Sequence, residues 1–246
     1  MIRLAFILSW LGSAALTASG QSVATDTTLS KAAARYAIAR YEVLSNDLEH
    51  LYNGPEYIGY DRRMEGHAFY LADSLMPGRI AYETGLFAVP LLYDIVKDKV
   101  VVVHPSGYRM ALHSDRIQHF SVNNHTFIRL DSTGQGIPGG FYDLIYDGPT
   151  RLLVRRTKQI LNTQTTVSSL SSSGMYGQFD AKTKYYVRRN GTYIQVKNRR
   201  ALLSALADHR KELAAFARKQ RLSFRPSPEA AFATLVQQYD ALTNSL

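Results

Sequence analysis

Alternating apolar and polar positions dominate the chain between residues 79 and 130, where short runs follow one another with only turn residues between them. A period of two is typical of β-strands, and connections this short favour hairpins over crossover helices. The pattern therefore predicts an antiparallel meander. Its predicted strands are 79–82, 86–96, 99–104, 108–113, 117–122 and 126–130.

The predicted strands differ in how much of their surface should be buried. Residues 100–103 are all valine, so neither face of this strand can meet water without cost, and we expect a central strand. Residues 109–113 and 117–122 alternate, as half-buried strands do. A sheet with strands covered on both faces needs a second layer, either another sheet or the helices that come later.

Further β-like segments flank this region. Asn190 and Gly191 both favour positive φ, which makes them the strongest hairpin signal in the chain. Residues 162–178 are rich in Ser, Thr and Gly and predict a mobile loop or linker. The additional predicted strands are 57–60, 141–146, 151–158, 184–189 and 192–197.

Apolar residues at helical spacing mark the two ends of the chain. Residues 31–44 follow the cap residue Ser30 and predict a short amphipathic helix. Asn198 can cap a C-terminal helix that we expect to be broken near Asp208, and Pro228 begins another. The predicted fold class is α+β. We expect an antiparallel β-meander, sheet-like or sandwich-like, with an N-terminal helix and C-terminal helices packed on it.

The first twenty residues have the composition of a cleaved secretory signal peptide. Arg3 supplies the positive start, residues 4–16 form a short apolar run, and Gly20 ends a stretch of small residues suited to cleavage. A membrane anchor is the alternative. The apolar run is, however, well short of the roughly 20 residues that a spanning helix needs.

The predicted domain organisation follows from this division. Residues 21–30 are small and polar, as in a flexible mature terminus. We expect residues 31–246 to form a single α+β domain, β-rich at 57–197 and helical at 198–246. No second hydrophobic stretch is long enough for a transmembrane segment, so the predicted location is periplasmic or secreted.

Composition narrows the class of protein further. The sequence contains no cysteine, which excludes disulfides and a lipid attached at the cleavage site. The formal net charge is +9, and loss of Arg3 with the signal peptide would leave +8. A basic exported protein is expected to work in anionic surroundings.

Residues 61–73 hold the densest group of titratable side chains in the β-rich part of the chain. Carboxylates and a histidine are what general acid and base catalysis requires, so an active site could be built here. The alternative is a connecting segment whose charges face water and whose Phe69, Tyr70 and Leu71 cover one edge of the sheet. The absence of a nucleophile motif or metal motif favours this alternative. The candidate catalytic residues are Asp61, Glu65, His67 and Asp73.

Histidines are also frequent in this part of the chain. His113, Asp115 and His119 could be drawn as a metal site, because imidazole and carboxylate groups are suitable ligands for zinc. His113 and Asp115 straddle a predicted turn, whereas His119 projects from the next strand, so the spacing does not bring three ligands to one point. We therefore predict no metal site and no cofactor.

The strongest charge asymmetry lies between residues 182 and 225. This stretch contains thirteen Lys or Arg residues and only two acids, Asp208 and Glu212, so its local net charge is +11. With interleaved tyrosines, this composition is typical of a surface for a polyanion, whether nucleic acid, acidic glycan or lipid headgroup, and export disfavours nucleic acid. The alternative is a solvated helix face that keeps the protein soluble. The candidate ligand-binding residues are Lys182, Lys184, Arg188, Arg189, Lys197, Arg199 and Arg200.

Short strings rich in aromatic residues and glycine are spread over most of the mature chain. They are Leu51-Tyr52-Asn53-Gly54, Gly66-His67-Ala68-Phe69-Tyr70, Val89-Pro90-Leu91-Leu92-Tyr93-Asp94-Ile95-Val96, Gly140-Phe141-Tyr142 with Tyr146-Asp147-Gly148, and Tyr185-Tyr186-Val187 with Asn190-Gly191. In these strings the chain resembles a family of uncharacterised exported proteins from Bacteroidetes-type bacteria. The resemblance implies only an envelope or secreted location, since the family brings no known activity or catalytic residues.

Two functions remain open at this point. The first is a non-catalytic envelope protein, a binding or structural module whose basic C-terminal region contacts an acidic envelope component or a protein partner. The second is a hydrolase of an envelope or extracellular polymer with carboxylates from residues 61–83, including Glu83, which would need a pair roughly 5 to 10 Å apart. We favour the first because no stretch of the chain carries a recognisable reaction chemistry.

Overall fold

The computed structural model describes residues 50–132, 136–163 and 176–244. These residues form one ten-stranded antiparallel sheet followed by three α-helices, which confirms the α+β class. The strands are β1 (Met76–Tyr82), β2 (Gly85–Asp94), β3 (Lys99–Val103), β4 (Arg109–Ala111), β5 (Ile117–Val122), β6 (His125–Leu130), β7 (Gly140–Tyr146), β8 (Leu152–Thr163), β9 (Tyr176–Arg189) and β10 (Thr192–Val196). The helices are α1 (Arg199–Ala205), α2 (Arg210–Lys219) and α3 (Glu229–Thr243).

The strand order is β10-β9-β8-β7-β6-β5-β1-β2-β3-β4. Most neighbours in the sheet are also consecutive in sequence, as in a meander. Strand β5, however, pairs with β1 and not with β4, so the predicted single meander consists of two ribbons, β1–β4 and β5–β10, joined along β1 and β5. The chain makes this step through a one-turn 3-10 helix, Ser114–Arg116, where the Arg116 carbonyl accepts the N–H of Glu83.

The sheet curls so that distant strands meet. The N–H of Lys158 in β8 donates to the carbonyl of Ile95, just after β2, at 2.9 Å, although four strands separate β8 from β2 in the sheet. The N–H of Phe141 in β7 likewise donates to Asp98 Oδ2 in the β2–β3 turn, at 3.2 Å. One face of the sheet thereby encloses an apolar core around the ring of Tyr93.

Residues 57–60 do not form the predicted strand. Glu56 makes an isolated bridge to Met110 of β4, and the residues after it leave the sheet. The reason is the side chains of Tyr57 and Tyr60, whose hydroxyls both turn toward the buried carboxylate of Asp94. An irregular backbone satisfies that geometry, whereas an added strand would place alternate side chains on opposite faces.

The predicted loop at 162–178 is shorter than its composition indicated. Strand β8 continues to Thr163 and β9 begins at Tyr176, so both ends of the stretch are paired strand. Pairing along a long two-stranded ribbon outweighs the low strand propensity of Asn162 and Gly177. The rest of that prediction, residues 164–175, lies outside the described part of the chain.

Strand β3 is covered on both faces as predicted, but it is not central. Only β4 separates it from the edge of the sheet. Val100 and Val102 lie in the enclosed core, while Val101 packs on the other face with Tyr57 and Phe69. The covering layer here is the irregular segment of residues 55–70, which we call the cover segment. Leu71 follows it with 52% of its surface exposed and does not cover the sheet.

The C-terminal helices cover strands β8 to β10 as predicted. The Asn198 side chain accepts the N–H of Ala201 at 2.9 Å, which is the predicted cap. Helix α1 ends before Asp208, where a 3-10 turn leads into α2, and α3 begins just after Pro228. Their apolar stripes form a second core, in which the buried strand residues are Leu152, Val187 and Val196.

The predictions for the N-terminal part lie outside the described residues. They are the signal peptide at 1–20, the flexible terminus at 21–30 and the helix at 31–44. Within the described ranges, none of the helices combines the length and apolar character needed to traverse a lipid bilayer.

Candidate functional site

Strand β9 carries three of the predicted ligand-binding residues on one face of the sheet. Tyr185 and Val187 belong to the core under the helices. Because side chains alternate along a strand, Lys182, Lys184 and Arg188 lie on the opposite face. We call these three residues the basic face.

The cations of the basic face have few acidic neighbours. The strand register places Lys184 opposite Arg155 of β8, which adds a fourth positive charge. The Nζ atom of Lys182 donates to Gln159 Oε1 at 2.6 Å and lies 4.0 Å from Asp180 Oδ2. Both lysines are exposed, so this part of the sheet presents a positive surface to solvent.

Two of the predicted ligand-binding arginines make structural contacts instead. The guanidinium of Arg189 donates to the carbonyl of Ala205 at 2.9 Å and to the carboxylate of Asp208 at 2.7 Å. Arg199 donates to the carbonyl of Ala214 at 3.2 Å. Both side chains therefore hold the helices together, and replacing either would disturb the fold as well as the surface charge.

The remaining predicted ligand-binding residues, Lys197 and Arg200, are exposed where β10 leads into α1. On the side of the basic face, Tyr186 and Tyr193 are buried with Ile137 of the β6–β7 connection. These tyrosines therefore support the sheet, and the cations next to them form the accessible part of the surface.

The candidate catalytic residues Asp61 and Glu65 take part in local structure in different ways, Asp61 through its carboxylate and Glu65 through its backbone. The Arg63 side chain and N–H donate to Asp61, with a shortest distance of 2.6 Å, and these hydrogen bonds lower the pKa of Asp61 to about 2. Glu65 pairs through its backbone with Gly177 and Phe179 of β9. A carboxylate with so low a pKa is a poor general base or acid near neutral pH.

The structure separates the other titratable candidates. Burial, and after it the charge of Lys158, lower the pKa of His67. Asp73 is exposed and makes no hydrogen bond or ion pair with another described residue. Glu83 lies in the β1–β2 turn, where Arg116 donates to its carboxylate at 2.9 Å. Asp61, His67 and Asp73 line one groove, while Glu65 and Glu83 do not.

This groove lies between the cover segment and the sheet and has a volume of about 870 Å³. We call it the cover groove. Its lining is aromatic and apolar at the bottom and charged at the rim. The aromatic lining residues are Tyr57, Tyr60, Phe69 and Phe179, and the charged or titratable ones are Asp61, Arg62, His67, Asp73 and Arg109.

Asp94 fastens one wall of the cover groove. Its carboxylate is fully buried and accepts the hydroxyls of Tyr57 at 2.8 Å and Tyr60 at 3.0 Å, together with the N–H groups of Val96 and Lys97. Burial and the negative charge of Asp94 raise the pKa of both tyrosines well above the usual value. Because four donors meet the hydrogen-bonding capacity of this buried carboxylate, it holds the cover segment around Tyr57 and Tyr60 in one conformation.

A second buried acid forms a polar cluster that the sequence did not indicate as a site. Asp143 Oδ2 accepts from His125 Nδ1 at 2.7 Å and from Arg156 Nη2 at 2.6 Å. The same Arg156 donates to Glu229 of α3 at 2.8 Å, so it bridges the sheet to the helix. Burial alone would lower the pKa of Arg156, but hydrogen bonds to Glu229 and Asp143 raise it above its usual value.

The polar cluster contains a histidine–carboxylate pair, and its residues do not line the cover groove or the groove beside β1 and the β5–β6 turn. Among the described residues, Asp143 Oδ1 is buried without a hydrogen-bond partner. An unpaired buried oxygen is costly, and the contacts of Asp143 Oδ2 with His125 and Arg156 offset part of that cost. Its arrangement supports attachment of α3 to the sheet.

The histidine and carboxylate residues considered as metal ligands do not converge. In residues 50–132, 136–163 and 176–244, no group of three or more histidine, aspartate or glutamate side chains is placed to hold a metal ion. His113 precedes the 3-10 turn that contains Asp115, and His119 lies within β5.

Comparison with models of known protein families, with curated proteins and with solved structures gives no match to this chain. The proposals below therefore depend on the geometry of the described residues.

Proposed function

We propose that this protein is a non-catalytic binding module that holds an anionic polymer on the basic face. The observation that carries the proposal is the alternation of Lys182, Lys184 and Arg188 along one side of β9, on the face that the helices leave uncovered. A row of cations on a rigid strand suits a polymer with repeated negative charges.

The spacing of these cations supports a polymer over a single small anion. Alternate residues on a strand are about 6.6 Å apart, so Lys182 and Lys184 address charges separated by a comparable distance. Arg155 of β8 adds positive charge beside Lys184, although its guanidinium also donates to the carbonyl of Gly139 at 3.2 Å. Such a surface binds largely through counterion release, and its affinity depends steeply on salt concentration.

We also propose that the protein acts outside the cytoplasm, as its N-terminal sequence and its resemblance to exported proteins predict. An acidic envelope component is then the partner expected for the basic face. Hydrolysis is not favoured, because Asp61 and Glu83 are each engaged by an arginine and Glu65 and Glu83 lie outside the cover groove.

The test is retention on immobilised heparin, an anionic polymer, at rising salt concentration. The variant Lys182→Glu, Lys184→Glu, Arg188→Glu is expected to elute at much lower salt than the unchanged protein. Its matched control is Arg210→Glu, Lys211→Glu, Lys219→Glu, which makes the same change in net charge at exposed positions of α2.

Retention of the α2 variant at nearly unchanged salt would support the basic face as the binding surface. Equal loss in both variants would mean that net charge alone governs retention, and the proposal would be wrong. Circular dichroism of each variant confirms that the fold is intact before the comparison is made.

A further inference from the structure

The cover groove has an aromatic surface that its hydrogen bonds keep in place. The hydroxyls of Tyr57 and Tyr60 are both bound to Asp94, so these residues offer the groove their rings and not their polar ends. Lys97, which does not line the groove, lies over both rings at 5.1 and 4.5 Å. Phe179 of β9 packs edge-on against Tyr60, with 5.2 Å between the ring centroids, and lines the groove beside it.

The rim of the groove carries cations that are not neutralised. Arg62 and Arg109 are exposed, and neither guanidinium makes a hydrogen bond or ion pair with another described residue. Asp61 is already compensated by Arg63, which leaves Asp73 as the carboxylate on the rim without such a partner. Arginine pairs with carboxylates through two parallel hydrogen bonds, so this rim is suited to an acidic ligand.

The backbone around the groove is fixed before any ligand arrives. The Nζ atom of Lys158 donates to the carbonyls of His67 at 2.6 Å and Phe69 at 2.9 Å. The Nζ atom of Lys97 donates to the carbonyl of Ile58 at 2.7 Å. A site that is ordered in advance loses little conformational entropy on binding.

We propose that the cover groove binds a short acidic oligosaccharide that contains uronic acid units. The apolar face of a sugar ring can pack on the half-exposed rings of Tyr60 and Phe179, while the carboxylate of a uronic acid pairs with Arg62 or Arg109. Asp73 and His67 offer partners for sugar hydroxyls. A volume of about 870 Å³ is large enough for such a ligand.

The rim also favours a uronic acid over a nucleotide. A phosphate group carries denser negative charge than a carboxylate, and Asp73 on the rim would oppose it. The groove lies at the cover segment and does not include the basic face, so this inference is independent of the proposed function.

The test is isothermal titration calorimetry with trigalacturonic acid, with galactotriose as its neutral counterpart. We expect trigalacturonic acid to bind and galactotriose to bind at least about tenfold more weakly, because the arginine contacts are absent. The variant Arg62→Gln, Arg109→Gln should lose about tenfold in affinity for the acid. Phe179→Ala should weaken both sugars, because a stacking surface is removed.

Two matched controls separate the groove from the rest of the molecule. Arg210→Gln, at an exposed position on α2, should leave the affinity unchanged. Lys182→Glu, Lys184→Glu, Arg188→Glu should also retain trigalacturonic acid binding, even if heparin retention is lost.

Equal affinity for the acidic and neutral sugars would overturn the proposal. An unchanged affinity in Arg62→Gln, Arg109→Gln, or tighter binding of uridine monophosphate than of the acidic sugar, would do the same. If no binding is measured at millimolar ligand, the groove is not a uronic acid site.

Discussion

The two ends of the sheet are covered by different means. The cover segment over β2 to β4 has no regular secondary structure and is fastened by polar groups, chiefly the buried carboxylate of Asp94 and the ammonium group of Lys158. The helices over β8 to β10 pack through an apolar stripe that includes Phe232 and Leu235. Buried hydrogen bonds therefore supplement the packing of Tyr57 and Phe69 at one end, whereas apolar packing dominates at the other.

This difference explains where a groove can exist. Apolar helix packing fills space, because voids between helices forfeit contacts. A segment tied by a few hydrogen bonds can stand away from the sheet between its attachment points. The cover groove lies beside such attachments at Asp94 and Lys158.

The largest effect is expected at the packed end. Phe232→Ala removes a fully buried ring from the helix core and should lower the free energy of unfolding by about 3–5 kcal/mol. Urea denaturation followed by circular dichroism measures this change. Gln237→Ala, at an exposed position of the same helix, is the control and should change little. Similar losses in both variants would contradict apolar packing as the means of attachment.

At the polar end we expect a smaller and more local effect. Asp94→Asn replaces an acceptor of four donors with a group that must itself donate, and should cost about 2 kcal/mol. Hydrogen exchange should become faster at the N–H groups of Tyr57 and Tyr70, which attach the cover segment to the sheet. Asp73→Asn is the control. Unchanged exchange in Asp94→Asn would show that the segment is held by other contacts.

High pH should weaken the helix attachment slightly. Burial, and then the charge of Glu229, raise the pKa of Tyr185 to about 12, above the usual value of 10.0. A raised folded-state pKa contributes stability that is complete below pH 10 and is lost as pH rises through about 12. The phenylalanine in Tyr185→Phe cannot ionise. The free energy of unfolding of this variant, relative to that of the unchanged protein, should therefore rise by less than about 1 kcal/mol between pH 8 and pH 11, after allowance for solvent screening.

The measurement is the difference in thermal midpoint between the two proteins at pH 8 and at pH 11. A difference that stays constant across this range would mean that Tyr185 is not protected from ionisation. Tyr108→Phe, at an exposed position outside the helix core, serves as the matched control.

The smallest effect is electrostatic and concerns the cover groove. Asp73→Asn removes a nearby negative charge that raises the pKa of His67, so this pKa should fall further below its usual value. A pH titration of the His67 ring signals by NMR measures the shift. Lys182→Gln, on the basic face, should leave them unchanged, and an unmoved His67 in Asp73→Asn would show that the charge of Asp73 does not act on the ring.

Local features of the fold could be predicted from the sequence, whereas pairings between distant strands could not. Helix α3 and its start after Pro228 were predictable because apolar spacing and capping are local signals. Strand β5 was predicted to its end residues for the same reason. The partner of β5 was not predictable, since the pairing with β1 depends on the curl of the sheet and leaves no mark on either strand.

The candidate sites were harder to predict, because their residues come from distant parts of the chain. Asp61, His67 and Asp73 were predicted as a group and do share a groove, but its Arg109 and Phe179 come from β4 and β9. Two buried acids that hold these elements together could have been found from the sequence. Asp94 and Asp143 each interrupt an apolar strand, and an acid in such a place requires buried partners.

The seam between β1 and β5 governs the order in which the sheet can assemble. Every other strand pair in the described sheet joins strands that are consecutive in the chain, so each ribbon can zip together from its own turns. The seam closes a loop that contains β2, β3 and β4, so pairing among these strands shortens the loop and lowers the entropy cost of closing the seam. Until then β1 and β5 are both unprotected edges, and in that interval newly made chains are most exposed to association with one another.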